Sequence, residues 1–396
     1  MTREEIFAAC KAALTRSNVL LLEAATGMGK SLQSIKLVNW IASTTYKDRK
    51  PKMLLLVAKR VHKQTWKDEF NKWGGINADV TMECYESLHK HCGEYFDFIV
   101  LDEIHHVASD LRLAALKTIR YGYIIGLSAT IPRNTKQYFR FHYHAEIVSC
   151  DLIEAIDSEV LPEPTILLFP LQMENTRVCE TIELNPKAKG PIVYGEYKDY
   201  WKLKKQKVHA MIRCTQKQKL MDIDKSIEWY KNKAMGGNMA LKQTWLYLCG
   251  KRLEFLADCK MQWVKLILHK LKDERTITFC KTIAQTEQLG KNCIHSQNKD
   301  AAKIYESFNA KKIDHITAVN ILNENANLVD CKYAIFCNLS SSDIVIPQRL
   351  GRAMRHKHPV IIVPYYQDTR EQEIVEKMFS EYNRDYIRVI HSIQEI

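Results

Sequence analysis

The feature that most limits the fold is an apolar run, Val19-Leu20-Leu21-Leu22, that breaks into Ala25-Thr26-Gly27-Met28-Gly29-Lys30-Ser31. A run of this kind ending in Gly-Lys-Ser is the sequence form of a buried strand, a phosphate-cradling loop and a helix. Gly27 and Gly29 allow turns closed to other residues, so that backbone N–H groups reach phosphate oxygens. The helix opening near Gly29 turns its positive end to the same anion. In this pattern Thr26, Gly27 and Gly29 shape the cradle, Lys30 bridges the β- and γ-phosphates and the Ser31 hydroxyl ligates Mg²⁺. The first position of the usual G-x-x-x-x-G-K-[ST] form is Ala24, a small residue in place of glycine.

A second run, Phe98-Ile99-Val100-Leu101, ends in Asp102-Glu103-Ile104-His105. Two adjacent carboxylates at the end of a buried strand suit hydrolysis of Mg-ATP: Asp102 holds the metal, directly or through water, and Glu103 positions and deprotonates the attacking water. His105 is then placed to relay between nucleotide and core. Between these strands, Met53-Leu54-Leu55-Leu56-Val57-Ala58 reads as a strand buried on both faces of a parallel sheet. Lys59 and Arg60 follow it directly, at the carboxyl edge where open α/β sheets bind ligands. Tyr123 to Leu127 is a further strand and ends in Ser128-Ala129-Thr130.

At 396 residues the chain is too long for one core and fits two domains with an insertion. Its 46% hydrophobic and 26% charged residues are those of a soluble globular protein, and its apolar runs are strand-length. The first residues carry acids and no apolar core, so no secretory signal is read. Fifty-eight basic against 46 acidic residues give a net charge of +12, which favours a polyanion, nucleic acid first, as partner. Twelve cysteines without a C-x-x-C pair point to a reducing compartment, and the expected location is cytoplasmic. Cys84, His89, His91 and Cys92 lie close together, but their spacing fits no common zinc pattern.

Ala25 to Ser31, Asp102 to His105 and Ser128 to Thr130 resemble motifs I, II and III of helicase superfamily 2, on its DExH side. Thr81 to Leu88 is similar to the connecting motif before the acidic strand. Asp151 to Pro164 resembles the crossover after the first motor domain in double-strand DNA translocases and in restriction-enzyme helicase subunits such as those of type III.

Residues 172 to 262 break the α/β rhythm and read as charged helices around a Gly236-Gly237 break. Lys202, Lys204, Lys205 and Lys207, interleaved with Tyr200 and Trp201, fit a phosphate-tracking surface. From Thr276 the α/β rhythm resumes in an order similar to a second RecA-like domain. Asn323 to Leu328 stands where motif V is expected; Glu324 keeps its place, while Asn325 and Asn327 replace the usual Gly and Asp. Gln348-Arg349-Leu350-Gly351-Arg352-Ala353-Met354-Arg355 has the motif VI form Q-R-x-G-R-x-x-R. On a helix Gln348, Arg352 and Arg355 share one face, and the resemblance makes the arginines fingers to the γ-phosphate.

The expectation is therefore an α/β protein with two RecA-like parallel-sheet domains and a mainly helical insertion: 1–165, 166–262 and 263–396. The resemblance implies ATP and Mg²⁺ as cofactors, with Ser31 and Asp102 on the metal. It implies a helicase or translocase acting on duplex or single-stranded DNA, with a nuclease or repair protein as a further partner. An RNA helicase and an ATP-switched binding module that unwinds nothing are the alternatives.

Overall fold

The computed structural model describes residues 1–235, 237–319, 328–340 and 356–396. The chain divides into two units, the bulk of the first being Met1–Thr165 and of the second Ile166–Ile321 with Val360–Ile396. The α/β class expected from the sequence is present, with one large parallel sheet in each unit.

Helix α1 (Arg3–Arg16) opens on a reciprocal cap, in which the Thr2 hydroxyl accepts from the Glu5 amide and the Glu5 carboxylate from the Thr2 amide. Then follow β1 (Val19–Ala24), α2 (Lys30–Thr45), β2 (Lys52–Val57), α3 (Arg60–Lys72), β3 (Asp79–Cys84) and β4 (Tyr95–Asp102). The first unit closes with α4 (Asp110–Thr118), β5 (Arg120–Ser128), α5 (Arg133–Tyr143), β6 (Glu146–Cys150) and α6 (Leu152–Asp157). Its strands lie in the order β3-β2-β4-β5-β1-β6, and every pairing is parallel. All carboxyl ends therefore meet at one edge. Met53 to Val57 is buried throughout, as a strand covered by helices on both faces must be.

Register fixes what meets at that edge. Leu22 lies opposite Leu127, and Leu127 opposite Asp102, so the strand before the phosphate loop and the acidic strand end level, on either side of β5. Neighbouring strands are about 4.8 Å apart, which puts the two ends about 10 Å from each other.

The second unit begins with β7 (Thr165–Leu171), β8 (Glu180–Leu184), β9 (Val193–Glu196), α7 (Tyr200–Gln206) and β10 (Ala210–Cys214). Two long helices follow, α8 (Gln216–Ala234) and α9 (Met239–Lys270). The α/β succession is then β11 (Thr276–Phe279), α10 (Ile283–Leu289), β12 (Cys293–Ile294), α11 (Ala301–Asn309), β13 (His315–Ala318), β14 (Tyr333–Phe336) and β15 (Val360–Tyr366). The helix Arg370–Phe379 and β16 (Ile387–Val389) end it. The second large sheet runs β12-β13-β11-β14-β15-β7-β16.

Within 166–262 the two long helices account for the expected helical character, and other parts belong elsewhere. Strand β7 joins the second large sheet, because Ile166, Leu167, Phe169 and Leu171 give it an apolar face to bury. Strands β8, β10 and β9 form a small mixed sheet, antiparallel on one side and parallel on the other, with Ile182, Leu184, Tyr200, Leu203 and Ile212 as its core. Helix α9 runs unbroken through Lys260 to Lys270. Its last turns bury Leu256, Ala257, Met261, Val264 and Ile267 in the second core, and its first turns stay exposed or half-buried.

Candidate nucleotide site and nucleic-acid surface

The phosphate loop has the backbone that its glycines were expected to supply. Gly27 has φ 105° and Gly29, the cap residue of α2, has φ 84°, both in the left-handed region that residues with a Cβ avoid. Thr26 is buried, while Lys30 and Ser31 are half-buried at the loop's open side. The Lys30 ammonium donates to the Ala24 carbonyl at 2.9 Å, which holds it at the mouth of the loop. No acid stands in the first turn of α2, so its positive end is left to an anion.

A brace behind the loop was not read from the sequence. The Arg3 guanidinium donates to the Gly27 carbonyl at 3.1 Å, and the Gln33 side-chain amide donates to the Arg3 carbonyl at 2.8 Å. Helix α1 is thus bonded to the loop through Arg3 and to helix α2 through Gln33. No local pattern marks Arg3 or Gln33, since each acquires its role only when the two helices pack.

Asp102 and Glu103 are both buried at the end of β4. The Trp66 indole N–H, from α3, donates to Asp102 Oδ2 at 2.9 Å, and the Tyr85 hydroxyl donates to the Asp102 carbonyl at 2.8 Å. Burial, with the Asp102 and Glu103 carboxylates beside it, pushes the Tyr85 phenol well above its usual range, so it stays a neutral donor. Glu103 has φ 51° and ψ 62°, a left-handed backbone that costs a residue with a Cβ ~1–2 kcal/mol. Strain of this kind gathers at functional positions, and here it turns the Glu103 carboxylate toward Ser128.

Ser128 is where the acidic loop that ends β4 and the serine-threonine loop that ends β5 touch. Its hydroxyl lies 3.0 Å from Glu103 Oε2, 2.8 Å from the Thr130 carbonyl and 3.3 Å from His105 Nδ1. Nδ1 of His105 is also 3.5 Å from Glu103 Oε2. One hydroxyl hydrogen cannot serve two acceptors at once, so Ser128 donates to Glu103 or to Thr130, and can accept from His105 in its Nδ1-protonated form. The Ile131 amide, just past Thr130, donates to Glu23 Oε1 at 2.8 Å, which ties the serine-threonine loop to the end of β1.

Asp102, Glu103, His105, Ser128 and Thr130 are thus brought to the edge that carries Thr26, Gly27, Gly29, Lys30 and Ser31. The set fits a Mg-nucleotide: backbone donors and an ammonium for phosphate, and hard oxygen donors on Ser31 and Asp102 for the metal. Lys59 and Arg60 follow β2 at the same edge and are exposed. Lys202, Lys204, Lys205 and Lys207 are exposed on and just after α7, in the second unit. Glu324, Gln348, Arg352 and Arg355 lie outside the described residues. Among the described residues no helix is long and apolar enough to cross a membrane.

Residues 259–357 match the family model of the helicase conserved C-terminal domain, a span that takes in Gln348 to Arg355. No curated protein matches the sequence. Among solved structures, the chain is similar to S. cerevisiae Dbp5 bound to RNA and ADP BeF3, with TM-score 0.56 and 12% identity over 98% of this chain and 89% of that one. It is also similar to the ATP-dependent Type ISP restriction-modification enzyme LlaBIII bound to DNA, with TM-score 0.58 and 14% identity over 99% of this chain and 31% of that one. At such identities the likeness is one of fold. The chain thus shares its two-sheet fold with these two structures, and residues 259–357 match the model of a helicase conserved C-terminal domain.

Proposed function

We propose that this chain is an ATP-dependent DNA motor, a helicase or translocase that couples hydrolysis of Mg-ATP to movement along the polymer. One observation carries the reading: the loop that opens α2 and the loop that ends β4 flank β5 at one sheet edge, and Ser128 of β5 is bonded to Glu103.

When bound, Mg-ATP supplies the phosphoanhydride bond and the metal's charge. The amides of Thr26, Gly27 and Gly29 and the Lys30 ammonium receive the phosphates, and Ser31 and Asp102 hold the metal. Glu103 orients the attacking water and takes its proton, and His105 with Ser128 and Thr130 passes the state of that carboxylate to the rest of the sheet. Gln348, Arg352 and Arg355 are proposed to complete the site, the arginines meeting charge that develops on the γ-phosphate. Glu324 is proposed to couple the polymer to this event. Lys59 and Arg60, with Lys202, Lys204, Lys205 and Lys207, are proposed to track the phosphate backbone.

DNA is preferred because Asp151 to Pro164 resembles the crossover of DNA translocases, and the DNA-bound LlaBIII shares the fold. RNA is the second reading, favoured by the likeness to RNA-bound Dbp5. The test is the steady-state ATPase rate of wild type and Glu103→Gln with no polymer, duplex DNA, single-stranded DNA and single-stranded RNA, at low and high salt. Stimulation by DNA that weakens with salt, and its loss in Glu103→Gln, is expected. Stimulation by RNA alone supports the second reading, and a flat response to every polymer removes the motor.

A further inference from the structure

Helix α8 carries a side-chain row that the motifs do not use. Met221, Lys225, Trp229 and Lys233 follow one another at four-residue spacing and are all exposed, so they make a single stripe along the helix. Trp229 is 53% exposed and meets Tyr230 only at its edge, with ring centroids 4.7 Å apart and nearly perpendicular planes. A large indole left in water on a helix that buries Leu220 and Ile227 elsewhere is not explained by packing.

The stripe continues onto α7. The Lys225 ammonium lies 5.2 Å from the centre of the Trp201 ring, which is itself 56% exposed, and the Lys204 ammonium lies 5.5 Å from it. Tyr200 and Leu203 are turned into the core of the small sheet, so α7 presents Trp201, Lys202 and Lys205 outward. Four residues along a helix advance about 6 Å, so Trp229 stands one turn beyond the lysine that reaches Trp201. Two exposed indoles are therefore spaced along one surface with cations between and beside them. Glu228 is the sole acid from 225 to 235, against Lys225, Lys231 and Lys233, and α7 has none.

We propose that this face of α7 and α8 binds a single nucleic-acid strand, with an unpaired base stacked on Trp229 and the phosphates on either side held by Lys225 and Lys233. The occupant follows from charge and shape together. Lysine at four-residue intervals on both sides of an aromatic fits a polyanion. A duplex keeps its base faces stacked inside, so an exposed indole gains from a strand whose bases are free. Stacking is indifferent to base identity and to the sugar, so unpaired DNA and unpaired RNA share this chemistry. The inference rests on the reading of the chain as a nucleic-acid motor and adds to it a site outside the motifs, where a separated strand is held.

The test uses the full chain without nucleotide and measures, by fluorescence anisotropy, the affinity for labelled oligothymidylate, oligouridylate and a mixed-sequence DNA duplex. Wild type, Trp229→Ala, Trp229→Phe and the double variant Lys225→Ala/Lys233→Ala are compared over a salt series, with circular dichroism melts to show that each is folded. Trp229→Ala is expected to weaken binding of a single strand ~5- to 100-fold and to leave duplex binding unchanged, with Trp229→Phe recovering most of the loss. The lysine variant is expected to flatten the salt dependence by ~1 in log–log slope for each phosphate contact removed. Loss on oligothymidylate alone assigns the site to DNA, on oligouridylate alone to RNA. Wild-type binding of single strands that Trp229→Ala leaves intact overturns this inference and spares the motor reading. Failure of the wild type to bind any of the probes overturns both.

Discussion

The indole N–H of Trp66 donates to Asp102 Oδ2 at 2.9 Å across 36 residues of sequence, and both side chains are buried. Trp66 sits on α3, the helix that Lys59 caps and Arg60 opens, so one hydrogen bond joins the helix after the basic edge residues to the proposed metal carboxylate. On the proposed function, a strand bound near Lys59 and Arg60 has through this bond a direct path to the proposed site of hydrolysis.

Trp66→Phe keeps an aromatic ring in place and removes the donor. Groups that orient a metal ligand typically contribute ~10- to 100-fold to metal affinity or activity, so the variant is expected to need a correspondingly higher Mg²⁺ concentration for half-maximal ATPase. The check is a Mg²⁺ titration of turnover, paired with Mg²⁺-dependent binding of a fluorescent ATP analogue. An unchanged Mg²⁺ midpoint in both would reduce Trp66 to a packing residue.

Ser128→Ala leaves Glu103 without its hydroxyl partner. A hydrogen bond to a charged group contributes ~1.5–3 kcal/mol, so the expected loss in turnover is about 10- to 100-fold with nucleotide affinity retained. Glu103→Gln, which removes the proposed base itself, is expected to lose ~100- to 10,000-fold. Steady-state rates set beside binding of the same fluorescent analogue check the pair. A fall in affinity with no fall in rate would sink the assigned roles.

The site's loops were legible in the sequence because each is a local pattern: an apolar run followed within a few residues by Gly27 to Ser31, by Asp102 to His105, or by Ser128 to Thr130. The bonds between them were not, because they depend on sheet order. Trp66 meets Asp102 only because β2 pairs β4, and Ser128 meets Glu103 only because β4 pairs β5. The left-handed backbone of Glu103 also has no sequence signal, since glycine is the usual mark of such a turn. In the second unit, the short alternation of β8 was lost among charged residues, with Ile182 and Leu184 facing inward between Thr181 and Glu183.

Stability in acid is expected to track Asp97. Burial pushes its carboxyl up, but the Arg49 fork at 2.7 and 2.5 Å and the Lys52 amide at 2.8 Å outweigh this and hold it below the usual carboxylate value. The folded state therefore favours the charged form. That contribution is complete above the unfolded value of about 3.9 and is lost as pH falls through the lower folded value. Thermal melts from neutral to acid pH should show the melting temperature falling on the acid side. In Asp97→Asn the midpoint should be lower at neutral pH and the acid fall shallower, and an equally steep fall would place the titrating group elsewhere.

Lys260 and Glu371 form a fully buried ion pair, Nζ to Oε1 at 2.5 Å, between α9 and the helix Arg370–Phe379. The same ammonium donates to the Pro364 carbonyl at 3.2 Å, and the other Glu371 oxygen accepts from the Tyr366 amide at 3.1 Å, so the pair clamps α9 to the end of β15. Lys260→Met fills most of the space and leaves a carboxylate buried without its cation, which typically costs ~3–5 kcal/mol. Removing both charges together, as Lys260→Met/Glu371→Leu, avoids the stranded charge and should destabilise less than the single change, because the desolvation of both ions is also relieved. Calorimetric unfolding of the three proteins checks the order. The pair joins the apolar end of α9 to the second core, while the other end carries α8 and its exposed indole. Lys260→Met is therefore expected to loosen the helix pair as well, seen as faster amide exchange in 216–250 than in the wild type, and equal exchange there would confine the pair's role to the core.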